Sequence, residues 1–419
     1  MKLAIVGGGS TYTPELVDGF ARLRHELPVE ELWLVDPDEE RLRLVGGFAQ
    51  RMFEAAGHPG RVVPTADLVA GVSDADAVLI QLRVGGQDAR HGDETWPHEV
   101  GCIGQETTGP GGFAKALRTV PVVLDIAETV RRYARPDAWI IDFTNPVGIV
   151  TRALLQAGHR AVGLCNVAIG FQRRFAGILG VEPDAVRLGH VGLNHLTWER
   201  SITVGGRDVL PEWLDTRIDE LADETGFAPE LVRLLGTVPS YYLRYYYAHD
   251  EVLREQLRSP TRAETVRAVE RELLAVYADP AAHEKPAALA SRGGAFYSEA
   301  AIELLSALRS DEGAVRVVNV RNDGALPFLP DDHAIEVPAN VSRAGIGVLP
   351  IDPLPDDIRG LVSAVAGYER LALDAAVHGG RERVLRAMQA HPLVLQFERA
   401  ERLTDLLVEH NREHLAWAG

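Results

Sequence analysis

Two residues from distant parts of the chain could together hold a metal. Cys165 closes the apolar run AVGLC (161–165), and His195 lies within GLNHLTW (192–198). One thiolate and one imidazole can bind a divalent transition metal and leave positions open for substrate and water. Read singly, a strand-end cysteine or a lone histidine is more often a packed residue. Gly192 and Asn194 suggest an irregular loop carrying His195. A second chemical signal is GGGSTYTPE (7–15), directly after the apolar run KLAIV (2–6). The residues Gly7, Gly8, Gly9, Ser10 and Thr11 can turn tightly and bring backbone against a pyrophosphate at a helix N-terminus. Asp36 ends the run ELWLVD (31–36), where a carboxylate would hold the ribose hydroxyls of NAD and repel the 2′-phosphate of NADP. The glycine pattern is partial, because Gly7 and Gly9 fit G-x-G-x-x-G while the third position is Tyr12.

The elements that must position these groups alternate in type. Besides the runs named, RVVPTA (61–66), AVLIQL (77–82) and AWIIDF (138–143) read as strands, with helical patterns at 15–26, 39–56 and 115–134. Continuous apolar strands separated by helices predict a Rossmann-type, doubly wound parallel sheet over residues 1–165. The remainder, 166–419, reads as an α+β substrate, metal and oligomerisation domain. In it, 186–209 is expected to be irregular structure followed by a hairpin turning at Gly205-Gly206. Residues 261–277 are predicted helical, 315–320 and 333–337 extended, and 355–375, 380–391 and 396–416 helical. No internal repeat is visible.

Composition narrows the function classes. The chain has 419 residues and a net charge of −17, which disfavours nucleic acid or an anionic membrane as partner. No signal peptide and no membrane span are expected, and two cysteines do not make a disulfide framework. A cytoplasmic protein is expected, with Cys165 free as a thiolate.

Three strand ends, QLRVGGQDAR (81–90), DFTNPVG (142–148) and GLCNVAIG (163–170), stand where open α/β sheets bind ligands. Asn145 before Pro146 resembles the Asn-Pro turn of malate and lactate dehydrogenases, which raises a net NAD-dependent 2-hydroxyacid dehydrogenase as one reading. No convincing copy of that family's catalytic histidine and aspartate follows, and the chain is longer than such enzymes need.

A fuller resemblance covers essentially the whole chain. IVGGGSTYTPELV, GQETTGPGGFAKALR (104–118), DFTNPVG, GLCNV, GLNH, YLRYYY (242–247) and RGGAFYSEAA (292–301) together resemble glycoside hydrolase family 4. The Cys-Asn-Val form is most similar to the 6-phospho-β-glucosidases. The resemblance implies a C-terminal domain of the lactate/malate dehydrogenase type. It also implies a redox-neutral elimination–addition reaction, an exception to two-carboxylate glycoside hydrolysis. NAD would take a hydride from carbon 3 of the sugar, and a divalent metal such as Mn(II) would act as Lewis acid at the oxygens on carbons 2 and 3. A base would then remove the carbon 2 proton, the leaving group would depart, and the hydride would return after water adds.

The same resemblance assigns roles. Cys165 and His195 match metal ligands, and Tyr242 matches the base, with Tyr241 the competing position in a tyrosine-rich stretch. Asn145 and Asn166 match contacts to sugar hydroxyls, and Arg90 and Arg262 match arginines that hold a 6-phosphate through bidentate hydrogen bonds. Glu106 would face the same cleft, and Cys102 is read as structural. The expected substrate is a phosphorylated disaccharide or glucoside, and a homodimer or homotetramer is expected. Ala168 stands where β-acting members have proline, which leaves an unphosphorylated or α-linked sugar as the alternative within the family. Asn166 cannot donate a proton as an acid, so the leaving-group acid is unassigned.

Overall fold

The apolar runs form the expected strands: β1 (Lys2–Val6), β2 (Glu31–Val35), β3 (Arg61–Thr65), β4 (Ala77–Ile80), β5 (Trp139–Asp142) and β6 (Ala161–Gly163). The computed structural model describes residues 1–293 and 296–418. Gly294 and Ala295, inside RGGAFYSEAA, and Gly419 lie outside the described residues. These six strands pair in parallel in the order β3-β2-β1-β4-β5-β6. That is the doubly wound dinucleotide-binding order, with its switch point between β1 and β4. Full burial of all four β4 residues explains why this strand reads as an unbroken apolar run. Helices Thr13–Arg22, Glu39–Ala55 and Gly109–Tyr133 fill the predicted windows. Glu39–Ala55 starts at Asp38, whose side chain accepts the Arg41 N–H at 3.0 Å.

The observed strands stop short of the sequence windows at Asp36, Gln81, Phe143 and Leu164-Cys165. These residues leave the ladder at the carboxyl edge of the sheet, and Cys165 therefore sits two residues beyond β6.

At β6 the sheet changes character. It is parallel to β5 but meets β11 (Ala314–Arg321) in antiparallel fashion through the single pair Asn319 and Gly163. A Cβ added at Gly163 would lie 2.9 Å from the Asn319 Cβ and would also press on Thr151 Oγ1, so only glycine permits this approach. Beyond β11 the strands are antiparallel: β12 (Ala334–Ser342), β7 (Val186–Leu193), β8 (Leu196–Val204) and β10 (Val238–Pro239). β13 (Gly345–Val348) adds to β12, and β9 (Arg207–Asp208) to β8. Helices Arg262–Ala278, Asp356–His378, Arg381–Ala390 and Phe397–Asn411 fulfil the helical expectations of the second half.

One expectation for 186–209 is corrected. The Gly205-Gly206 turn exists, with φ of 56° and 80°, and joins β8 to β9. The part read as irregular is the strand β7, which pairs with β8 except for a register shift between Leu188 and His190 and joins it by a two-residue turn at Asn194-His195. The alternation was masked because polar groups face inward. His190 Nδ1 lies 2.6 Å from Glu199 Oε1 and Nε2 lies 3.0 Å from Glu336 Oε1, all buried. Glu336 Oε2 accepts from Asn194 Nδ2 at 2.8 Å and from Asn319 Nδ2 at 2.9 Å. Burial alone would push His190 down, but the two carboxylates raise it to about 10 and keep it an imidazolium. Buried charge is tolerated here because both imidazolium nitrogens face a carboxylate supplied by a neighbouring strand.

Candidate active site

A cavity of about 1170 Å³ opens where β1, β2, β4 and β5 end. Its nucleotide side is built on the first turn. Gly7 takes a left-handed φ of 88°, and the Gly7 and Gly8 N–H groups donate to Val35 O at 2.8 and 2.9 Å. The Gly9 N–H donates to Asp36 Oδ2 at 3.1 Å, and a Cβ at Gly9 would sit 2.9 Å from the Asp36 carboxyl carbon. The turn and the carboxylate are thus held against each other by the absence of a side chain. Gly7, Gly9, Ser10 and Asp36 line the cavity. Gly8 instead packs against Leu34, and Thr11 is fully buried with its hydroxyl 3.3 Å from Glu270 Oε1.

The chemical side holds Asn145, Asn166, Tyr242, Arg90 and Arg262 on the same cavity wall. Among the described residues, Asn145 Oδ1 is a buried acceptor with no hydrogen-bond partner, which suits a ligand hydroxyl. Tyr242 and Tyr241 are separated by their surroundings. The Tyr242 ring stacks on the His195 ring with centroids 3.7 Å apart and planes 7° apart. Its phenol is pushed well above the ordinary tyrosine value, first by burial and then by Cys165, while Arg90 acts to lower it. Tyr241 is 46% exposed.

Cys165 and His195 are both buried, and Asn194, the neighbour of His195 in the turn, ties that turn to the thiol. The Asn194 side chain bonds the Cys165 thiol and also donates to Glu336. His195 has a left-handed φ of 62°, a conformation the tight turn imposes and that histidine tolerates better than most residues. Burial lowers His195 to about 4, so it is neutral at ordinary pH, as a metal ligand must be. Its tautomer follows from its neighbours. Thr107 Oγ1 gives its proton to Gln105 Oε1 at 2.7 Å, so at 3.0 Å it can only accept from His195 Nδ1–H. The Nε2 lone pair is then left for a metal. The Cys165 thiol is raised well above its ordinary value by burial and by Glu336, so a cation is needed to ionise it. Among the described residues there is no cluster of three or more His, Cys, Asp or Glu side chains that could hold a metal. The donors these residues offer are the Cys165 sulfur and His195 Nε2, and a metal held by them would need substrate and water to complete its shell. Neither Cys165 nor His195 is among the described residues that line the cavity of about 1170 Å³; Cys165 lines a separate cavity of about 590 Å³ on the side of β7 and β11.

Glu106 is more central than its sequence suggests. It is buried and receives Lys115 Nζ at 2.6 Å, Arg90 Nη2 at 3.1 Å and the Arg83 guanidinium. Burial opposes its ionisation, but the three cations hold it well below the usual carboxylate range. Lys115 is lowered to about 7 by burial and by Arg83, against the pull of Glu106. Arg83 and Lys115 had no sequence signal, since the cluster joins positions far apart in the chain. Glu106→Gln would leave three buried or half-buried cations around a neutral amide. We expect a loss of about 3–5 kcal/mol in denaturant-derived unfolding free energy, and a loss under about 1 kcal/mol would refute the hub.

Arg90 and Arg262 line the same cavity, and Glu94 ties the Arg90 side chain to the start of the helix that begins at Arg262. Arg90 Nε donates to Glu94 Oε1 at 2.7 Å, and Glu94 Oε2 accepts the Ala263 N–H at 2.8 Å, next to Arg262 at the start of its helix. Arg90 is thus tied to two carboxylates, whereas Arg262 Nη2 donates to the Ser291 carbonyl at 2.9 Å.

Residues 2–181 match the model of family 4 glycosyl hydrolases, and residues 190–394 match that of the family 4 glycosyl hydrolase C-terminal domain. The chain belongs to glycoside hydrolase family 4. This family 4 chain is 41% identical to a probable 6-phospho-β-glucosidase of Bacillus subtilis (strain 168), over 99% of this chain and 97% of that protein. A 6-phospho-β-glucosidase of Thermotoga maritima, solved with manganese, NAD+ and glucose-6-phosphate, superimposes with a TM-score of 0.93. It is 35% identical and 99% of each chain is covered. Malate dehydrogenase of Salinibacter ruber gives a TM-score of 0.53 at 19% identity, over 89% of this chain and 97% of that one. The family 4 chain therefore has the expected fold class, a Rossmann-type sheet extended by an α+β half of the malate dehydrogenase type.

Proposed function

We propose that the chain hydrolyses 6-phospho-β-glucosides, with NAD and a divalent metal such as Mn(II) as cofactors, by a redox-neutral elimination–addition route. The observation that carries the reading is the shared cavity wall. The Gly7–Asp36 turn, Tyr242 and both arginines face one space, and Glu94 links Arg90 to the helix that begins at Arg262. The relatives' activity and the cofactors bound in the Thermotoga maritima structure support it.

Bound NAD supplies a hydride acceptor, and a bound divalent metal supplies a Lewis acid. The chain's own residues do the rest. Gly7, Gly9 and Ser10 receive the pyrophosphate and Asp36 the ribose, while Gly8 and Thr11 shape the turn from behind. Cys165 and His195 Nε2 hold the metal. Asn145 accepts from a sugar hydroxyl, and Asn166 contacts another. Tyr242 takes the proton from carbon 2, with Arg90 as the cation this chain sets against it. Arg262, with no carboxylate partner among the described residues, is the principal phosphate ligand, and Arg90, paired with Glu94 and Glu106, supports it.

Two further parts belong to this reading. The chain divides near residue 165, supported by the change from parallel to antiparallel pairing at β6. A cytoplasmic setting is supported by two free thiols, and no described helix is long and apolar enough to cross a membrane.

A substrate panel tests the function, crossing α with β linkage and 6-phosphate with free sugar, with NAD and manganese present. Turnover is expected only for the β-linked 6-phosphates, with no stoichiometric rise in absorbance at 340 nm. Equal rates on free β-glucosides would remove the phosphate assignment. Accumulating NADH would make the protein a net dehydrogenase.

A further inference from the structure

We propose that Tyr241 is the platform for the aglycone, the half of the substrate that leaves. The inference rests on the glycosidase reading and extends it to a residue to which that reading gives no part.

Tyr241 lines the catalytic cavity yet is 46% exposed, so its ring stands at the rim. It adjoins Tyr242, with ring centroids 6.1 Å apart and planes at 78°. If Tyr242 serves carbon 2, the departing group hangs on the adjacent carbon 1, and the residue before Tyr242 reaches solvent at the rim of the same cavity. The ring is held rather than free. The Arg244 guanidinium lies 5.0 Å from its centroid and also donates to its phenol oxygen. Arg244 is in turn anchored to Glu255 on the helix His249–Gln256, which also borders the cavity.

An aromatic fixed in this way, with Arg244 against the ring and nearly half of the residue still exposed, presents a negative face to a ligand. The second sugar of a β-linked disaccharide offers the matching surface, because its axial C–H groups carry partial positive charge. An aryl aglycone would stack there as well. A methyl aglycone is too small to reach the ring. Tyr241 thereby sets a preference among leaving groups and does not touch the atoms that react.

The test is a ratio, kcat/KM for 6′-phosphocellobiose over kcat/KM for methyl 6-phospho-β-glucoside. In Tyr241→Ala we expect it to fall about tenfold, carried mainly by KM, which equals about 1.4 kcal/mol of lost binding. Tyr241→Phe keeps the aromatic face and is expected to stay within about twofold of the parent. Tyr241→Leu, which keeps apolar bulk without that face, is expected to fall with Ala and serves if Ala does not fold. An unchanged ratio in Ala and Leu overturns the platform. So does a Phe variant that falls as far as Ala, since the effect would then belong to the phenol–Arg244 bond. If the parent turns over neither glycoside, the glycosidase reading falls and the platform falls with it.

Discussion

Cys165→Ser lowers turnover at least about a thousandfold while the protein still folds. A serine hydroxyl is a harder, weaker ligand that does not ionise beside a divalent metal at neutral pH, so the several kcal/mol of Lewis-acid stabilisation are lost. The fold survives because the exchange is nearly isosteric. The Asn166 and Val167 N–H groups and the Asn194 side chain that surround the thiol can donate to an oxygen equally well. Bound manganese measured after dialysis, together with kcat, decides the matter. A variant that keeps both overturns the ligand role, and one that loses the metal but keeps its rate overturns the metal's part in turnover.

Tyr242→Phe is expected to reduce kcat by about 10²–10⁴-fold with little change in KM, the range for removing a general base. The phenyl ring preserves the stack on His195 and so leaves that side of the cavity in place. Two readouts separate the base from a structural residue. Exchange of the carbon 2 proton with deuterated water slows with kcat, while oxidation at carbon 3, followed by transient NADH absorbance, persists. Unchanged exchange at carbon 2 would remove Tyr242 from this role.

The cofactor half was legible because its rules are local. Parallel strands covered on both faces are continuous apolar runs, and a turn that needs a left-handed residue shows a glycine, as at Gly7. In the second half the helices followed from periodicity, whereas the metal-ligand reading rested on the family motifs. β7 looked irregular because its inward position is His190, satisfied by Glu199 and Glu336 from two other strands. No window of sequence contains that pairing. Glu106 is a similar case, since its three cations stand at 83, 90 and 115 and only the fold shows that they share one carboxylate. Tyr241 and Tyr242 are chemically identical in sequence and adjacent. Only burial and the His195 stack tell them apart.

The joint at Gly163 bears on how such an enzyme can be recombined. Nucleotide halves are attractive parts to exchange between relatives, because the pyrophosphate turn and the substrate wall lie on different strands. Here the two halves share one sheet, and the seam is a single residue pair, Gly163 with Asn319, two positions before Cys165. A graft that brings any side chain into that seam would wedge the strands apart, since even a methyl group meets Thr151 and Asn319. The displacement would be felt first at the thiol. A chimera would then keep its nucleotide affinity and lose its metal, which makes one hydrogen atom the gatekeeper of modularity in this scaffold.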